Sequence, residues 1–223
     1  MPTELYETAA EQQQSKPVRG ASSIVTGTVT NNIDLVGQGR VQVRIPSLDV
    51  EVWARLTAVG GGSDAGFLYV PRNDDEVVVA MSQDNPEDAF VLGGLWSSQD
   101  SPPVSTGVEA VAKRVIKTGV GEGPAHEIEF DDLEQSITIT SSTNQTVTID
   151  VDKIELSNEA GTLVVTLDNL TETVTIKGLK IEVDADVSLT LKGATISIEA
   201  DPGPLSIKAS SSCAINGLPV TIN

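Results

Sequence analysis

Two pairs of carboxylates stand two residues apart, Asp150/Asp152 and Asp184/Asp186. Positions i and i+2 of a strand share a face, so each pair could hold a cation or divide acid and base roles in glycoside hydrolysis. No third or fourth oxygen ligand is patterned beside either pair. No aromatic sugar platform or long cleft-forming loop accompanies them, so they read as solvated charge on an outer face. His126 is the only histidine, and without a His-x-His partner it reads as a structural or surface group, not a metal ligand. Cys213 is the only cysteine, which excludes an intramolecular disulfide framework. It has no adjacent Lys, Arg or His to lower its thiol pKa, and is expected to be a small apolar side chain facing inward. Gly60-Gly61-Gly62 lacks the Lys-Ser/Thr of a phosphate cradle and reads as a loop. No catalytic residue, metal ligand or cofactor is therefore expected, and the chain does not read as an enzyme.

The elements around these residues are strands. From Ile137 to Ile222 apolar and polar residues alternate in short runs: Ile137/Ile139, Val147/Ile149/Val151, Ile154/Leu156, Leu163/Val165/Leu167, Val174/Ile176, Ile181/Val183, Val187/Leu189/Leu191, Ile196/Ile198, Leu205/Ile207 and Leu218/Val220/Ile222. This is the strand period, and runs recurring about every 7–10 residues leave no room for intervening helices. The inward parity is odd at 163–167 and 181–191 and even at 174–176 and 194–198. Corners of differing length account for the shifts. Lys177-Gly178, Lys192-Gly193 and Asp201-Pro-Gly-Pro204 are suitable corners, because Gly and Pro accept tight turns.

Aromatic residues are 3% of the 223, and none follows Phe130, so a thick globular core is not expected in this part. Val, Ile, Leu and Thr suit a narrow interior of stacked strands. A lone chain of such strands would expose about two dozen Ile, Val and Leu side chains, each worth roughly 1.5–3 kcal/mol when buried. That loss exceeds the usual stability margin, so obligate association with other copies of the chain, with no stable folded monomer, is expected. The formal charge is −18, with 16 acids and 9 bases in residues 1–124 and 16 acids and 5 bases in residues 125–223. Such a surface repels phosphate backbones, so nucleic acid is not an expected partner.

Before the array, residues 21–98 read as a small all-β barrel. Strands are expected at Ser23–Thr30, Arg40–Ile45, Val50–Ala54, Gly66–Tyr69, Glu76–Met81 and Ala89–Leu95, punctuated by Gly, Asn and Pro. Five or six strands in that length fit a Greek-key barrel of OB type. Residues 1–20 read as a flexible or partner-ordered arm, 99–125 as a connector, and 126–223 as the strand array. The polar, acidic N-terminus does not read as a signal peptide or membrane anchor, and synthesis in the cytoplasm is expected.

The barrel carries a series of words: Gly27-Thr-Val-Thr, Asp34, Gly37-Gln-Gly-Arg40-Val-Gln-Val-Arg44-Ile-Pro46, Trp53-Ala-Arg55, Gly66-Phe-Leu-Tyr69-Val-Pro71, Asp75-Glu-Val77, Asp84-Asn-Pro86 and Val91-Leu-Gly-Gly-Leu-Trp96. After the connector comes His126-Glu-Ile-Glu-Phe-Asp-Asp132. In this order they resemble the central spike, or baseplate assembly protein V, family of contractile phage tails. They also resemble the OB-fold plus β-helix part of the Val-Gly-repeat spikes of type VI secretion. Asp74 departs from that pattern, standing where Gly commonly precedes Asp-Glu-Val, and Ala89 stands where Pro is usual.

The resemblance implies an all-β fold: an OB barrel followed by an intertwined triple-stranded β-helix, a trimeric prism. It implies a virion or injection-particle structural protein, the envelope-puncturing spike of a tail baseplate or contractile injection system, which meets the host envelope only transiently. A separate trimeric hub would dock at the barrel end. A conical tip protein with Pro-Ala-Ala-Arg repeats would sit at the C-terminal end, on Gly217, Leu218, Pro219, Val220, Ile222 and Asn223. That these residues only finish the core stands level with the seating role. Two alternatives are a β-helical tail-spike enzyme acting on surface polysaccharide and an OB-fold binding module for single strands. The first needs an aromatic-lined groove and the second basic and aromatic faces, and the composition opposes both.

Overall fold

The computed structural model describes residues 23–82, 85–104, 107–119, 123 and 125–221. The arm expected at 1–20 lies outside them. The first sheet is a closed five-stranded barrel of β1 (Ser23–Asn31), β2 (Arg40–Ile45), β3 (Val50–Leu56), β4 (Glu76–Met81) and β5 (Ala89–Gly94). Its order is β1-β2-β3-β5-β4, and β4 pairs back onto β1. The β3–β5 pair is parallel and the other four are antiparallel.

Alternation builds the barrel core. Val41, Val43 and Ile45 of β2 and Val77, Val79 and Met81 of β4 point inward, joined by Val29, Ala54, Ala89 and Val91. The interior is filled by small and branched side chains with no aromatic ring among its fully buried members. Gly27 lies where β1 crosses β2 most closely. A Cβ there would meet Val43 Cγ1 at 2.5 Å and the Arg44 carbonyl oxygen at 2.9 Å.

The strand expected at 66–69 does not form. Five strands already close the barrel, which leaves no free edge for a sixth. Gly66 instead adopts a φ of 138°, and Phe67, Leu68 and Tyr69 are exposed in the loop between β3 and β4. Asp74, the departure from the usual Gly, has a φ of 73°, which explains why glycine is favoured at that position.

The stretch expected as a bare connector holds a short helix, α1 (Val108–Ala112), and a strand, β6 (Lys113–Lys117). β6 opens the second sheet, which continues through β7 (Glu127–Asp131), β8 (Ser136–Thr140), β9 (Thr146–Ile149), β10 (Lys153–Ser157), β11 (Val164–Asp168) and β12 (Thr173–Lys177). Each strand pairs antiparallel with its sequence neighbour in an unbroken meander. Intertwined strands were expected from 126 onward. From 113 to 177 the hydrogen-bond ladders run instead between consecutive strands of the same chain.

Residues 180–223 are a separate unit. Among its described residues, 180–221, no strand is paired within the chain and every residue is exposed. The runs expected at 181–183, 187–191, 196–198 and 205–207 keep their alternation but have no intrachain strand partner. No helix among the described residues is long and apolar enough to cross a membrane.

Gly27→Ala should destabilise the barrel by about 1–3 kcal/mol, because Val43 and the β2 backbone must move to admit the methyl group. Both tryptophans, Trp53 and Trp96, lie at or beside the barrel. Urea unfolding followed by tryptophan fluorescence reads the change there, and an unshifted midpoint contradicts the close approach.

Candidate functional site

The second sheet sorts its side chains into two unlike faces. Cross-strand partners form one rank, Ile116, Ile128, Ile139, Val147, Leu156, Val165 and Ile176. A second rank on the same face runs Arg114, Phe130, Ile137, Ile149, Ile154, Leu167 and Val174. Between them, on the opposite face, lie Glu129, Thr138, Thr148, Glu155, Thr166 and Thr175. Period-two alternation makes this a strip two side chains wide along seven strands, aliphatic throughout except for Arg114 and Phe130. The described residues leave it largely uncovered: Ile139, Ile149, Leu156, Leu167, Val174 and Ile176 are all exposed.

Turn lengths keep the strip continuous. Turns 132–135 and 169–172 each contain four residues, so inward parity flips across them. The five-residue turn 141–145 preserves it. The parities expected at 165–167 and 174–176 meet in register, Val165 opposite Ile176 and Leu167 opposite Val174.

Aspartates build several of these turns. Asp131 Oδ1 accepts from the backbone N–H of Leu133 at 2.9 Å and Glu134 at 3.0 Å. Asp168 Oδ1 accepts from Thr171 N–H at 2.8 Å. The two turns are copies of one word, Asp131-Asp-Leu133-Glu-Gln135-Ser and Asp168-Asn-Leu170-Thr-Glu172-Thr, with Gln135 and Glu172 both at positive φ. The repeat is present in the sequence, but its polar residues are a weaker signal than the aliphatic alternation on either side of them.

The chemistry-bearing residues singled out by sequence fall into these supports. Asp150 Oδ1 accepts from the N–H groups of Asp152 and Lys153, both at 2.8 Å, so its carboxylate serves a turn. His126 Nδ1 accepts from Ser142 N–H at 3.2 Å and braces the β8–β9 turn. Gly60-Gly61-Gly62 is loop, as expected, and Gly62 bridges to Ala65. Asp184, Asp186 and Cys213 are exposed in the 180–221 segment. In the single chain Cys213 therefore does not face an interior, because that segment builds none. Among the described residues no group of three or more His, Cys, Asp or Glu side chains could hold a metal.

The residues expected to seat a tip protein are brought together only by adjacency in the chain. Leu218 is fully exposed and Val220 half exposed. Gly217 and Pro219 lie beside them, while Ile222 and Asn223 fall outside the described residues.

On the polar face Lys113 pairs with Glu129 at 3.1 Å and Asp131 at 3.3 Å, Lys117 with Glu127 at 2.7 Å, and Lys153 with Glu155 at 2.8 Å. Glu129, then Asp131, raises the pKa of Lys113, and Glu155 raises that of Lys153. The Glu134 N–H, helped by Lys113, lowers that of Asp131. Partly exposed pairs of this kind set local geometry more than stability.

The barrel holds a tighter ionic node. The Asp34 side chain is 8% exposed and meets Arg40 Nη2 at 3.0 Å. It also accepts from the backbone N–H of Val36, Gln38 and Arg40. The Arg40 guanidinium lies 5.4 Å from the centre of the Trp53 ring. Arg40, foremost, and these N–H groups hold the Asp34 carboxyl well below the usual carboxylate range. The sequence words containing Asp34, Arg40 and Trp53 are thus one loop-closing unit.

Residues 25–96 match the family of type VI secretion system and phage-baseplate injector OB domains. The chain is also 26% identical over 132 residues to the actin cross-linking toxin VgrG1 of Vibrio cholerae serotype O1, strain O395. That match covers 55% of this chain and 12% of the toxin. The two findings support the spike-protein family to which the barrel words pointed.

Because Asp34 titrates lower in the folded barrel than in the unfolded chain, its stabilisation is present above the ordinary carboxylate pKa of about 3.9. It is lost as pH falls below that value toward the folded one. Asp34→Asn should lower the barrel's melting temperature at neutral pH and flatten its decline below pH of about 4. Thermal melts followed by tryptophan fluorescence check both, and parallel wild-type and variant acid limbs would contradict the assignment.

Proposed function

We propose that this chain is the central spike of a contractile tail or injection baseplate, a membrane-piercing needle built from three copies. The injector OB domain supports a structural role in the spike or baseplate. The observation that carries the finer reading is the uncovered aliphatic strip, followed by 180–221 with alternating aliphatics and no intrachain strand partner. Both need cover that the described residues of one chain do not provide, and a three-sheet prism would supply it by turning the strips toward one axis.

About eleven strands stacked at roughly 4.8 Å give a shaft on the order of 50 Å. Its function is stiffness: a contracting sheath drives the needle through an envelope. The barrel docks on a separate trimeric hub. The C-terminal end carries a conical tip protein, seated on Leu218 and Val220 with Gly217, Pro219, Ile222 and Asn223. In this role the chain works mechanically and is not an enzyme. The actin cross-linking in the toxin's name belongs to that protein, of which this chain covers a small part.

Sedimentation should give a mass three times the 23.3 kDa of one chain. A well-folded monomer on dilution sinks the trimer. Deleting residues 217–223 should abolish co-purification of the tip protein while leaving the trimer intact, and retained binding excludes the seating role.

A further inference from the structure

The two long edges of the second sheet differ in chemistry. Turns 132–135, 150–152 and 169–172 all lie on one edge, because Asp131 opposes Ser136, Ile149 opposes Ile154 and Asp168 opposes Thr173. At their tips stand Leu133, Val151 and Leu170, exposed by 65%, 59% and 76%. On the opposite edge the turns 141–145 and 158–163 are mainly polar, with Ser141 bonding Thr143 and Asn158 bonding Thr162, and Leu163 is their one large exposed aliphatic. One edge is therefore an apolar row with a tip at every second strand, a period of roughly 9.6 Å.

A surface covering that row must repeat at the same period, and another copy of the meander has it. In a prism whose strands stack along the axis, a pure rotation leaves each strand at its own height. The tip between β7 and β8 then faces β7 and β8 of the neighbour, and the other two tips follow the same rule. The aliphatic rank nearest the neighbour's polar edge offers one cross-strand pair at each height: Ile128/Ile139, Val147/Leu156 and Val165/Ile176.

We propose that Leu133, Val151 and Leu170 seat on these three pairs in turn, on an adjacent copy of the chain, and so lock the corners of the prism. This rests on the three-copy reading above and adds a register to it. The contact is heterologous: one edge of each copy meets a different region of the next. That closes a three-fold ring and leaves no free tip row.

Disulfide trapping in a Cys213→Ser background tests the register. Leu170→Cys with Ile176→Cys, and separately Leu133→Cys with Ile139→Cys, should convert most of the chain to covalent oligomers on oxidation. Within one chain each pair is separated by more than about 10 Å along a strand, beyond the roughly 7 Å Cα limit of a disulfide. Leu133→Cys with Ile176→Cys should stay unlinked, since their heights differ by on the order of 20 Å. Leu170→Cys alone should also stay unlinked, because a three-fold contact does not bring it to itself.

Hydroxyl-radical footprinting of the unmodified chain supplies a readout free of substitutions. Leu133 and Leu170 should be protected as strongly as Ile139. Absent matched cross-links, linking of the mismatched pair, or tips labelled as heavily as Leu35 overturn the register. If the wild-type chain still sediments as a trimer, only the register falls; if it is a folded monomer, both readings fall.

Discussion

A sheet with one apolar face must have that face covered, and the described residues of the second half leave theirs largely exposed. The barrel solves the problem by closing, so that alternate residues of five strands share one interior. The meander cannot, because its strands add one after another in a single layer and leave β6 and β12 as edges. Each half-exposed aliphatic on the strip forfeits part of the burial that a core residue gains. On the three-copy reading proposed above, association would recover that burial, and the turns on either side of each strand would serve to keep the shared face in register.

The same constraint explains the turn chemistry. A one-residue error in any turn would send every following aliphatic to the solvent face. Asp131, Asp150, Asn158 and Asp168 each accept backbone N–H groups in the turn that follows them. Positive φ at Gln135, Asn144, Gly161 and Glu172 completes the reversals. Of the side chains that could have been taken for metal or catalytic groups, Asp150 and His126 accept backbone N–H groups and help hold register. Their value lies in where they send the next strand.

Much of this was legible in the sequence because the strand period survives any partner. Arg40–Ile45 and Glu76–Met81 have the expected bounds, and the strip follows directly from the alternation of Ile, Val and Leu. The apolar run at 66–69 misled because Phe67, Leu68 and Tyr69 have strand-like propensity, whereas barrel closure, a long-range property, leaves them no partner. The strand at 113–117 was hidden for the opposite reason. Lys113-Arg-Val-Ile-Lys117 is short and bracketed by charge, and only its pairing with Glu127–Asp131 identifies it. Residues 180–221 show the remaining limit. Alternation specifies faces, but a strand needs a neighbouring edge, and no second edge from this chain is paired with it.

The charge distribution bears on how several copies, each at −18, could share an axis. The covering strip carries one charged residue, Arg114, and its guanidinium turns back to the Val111 carbonyl oxygen at 2.6 Å, toward the end of α1. Lys113, Lys117 and Lys153 are paired with carboxylates on the other face, and the unpaired acid excess lies outside the strip. Repulsion between copies would therefore act mainly between outward surfaces, through water and salt, where screening is strong beyond about 8 Å at physiological ionic strength. In the proposed assembly the attractive contact would be apolar and short-ranged, so salt would not screen it. Acidity on the outside and aliphatics on the strip are thus compatible: the first would keep a long β-structure from pairing laterally with strangers, and the second would favour copies of the same register.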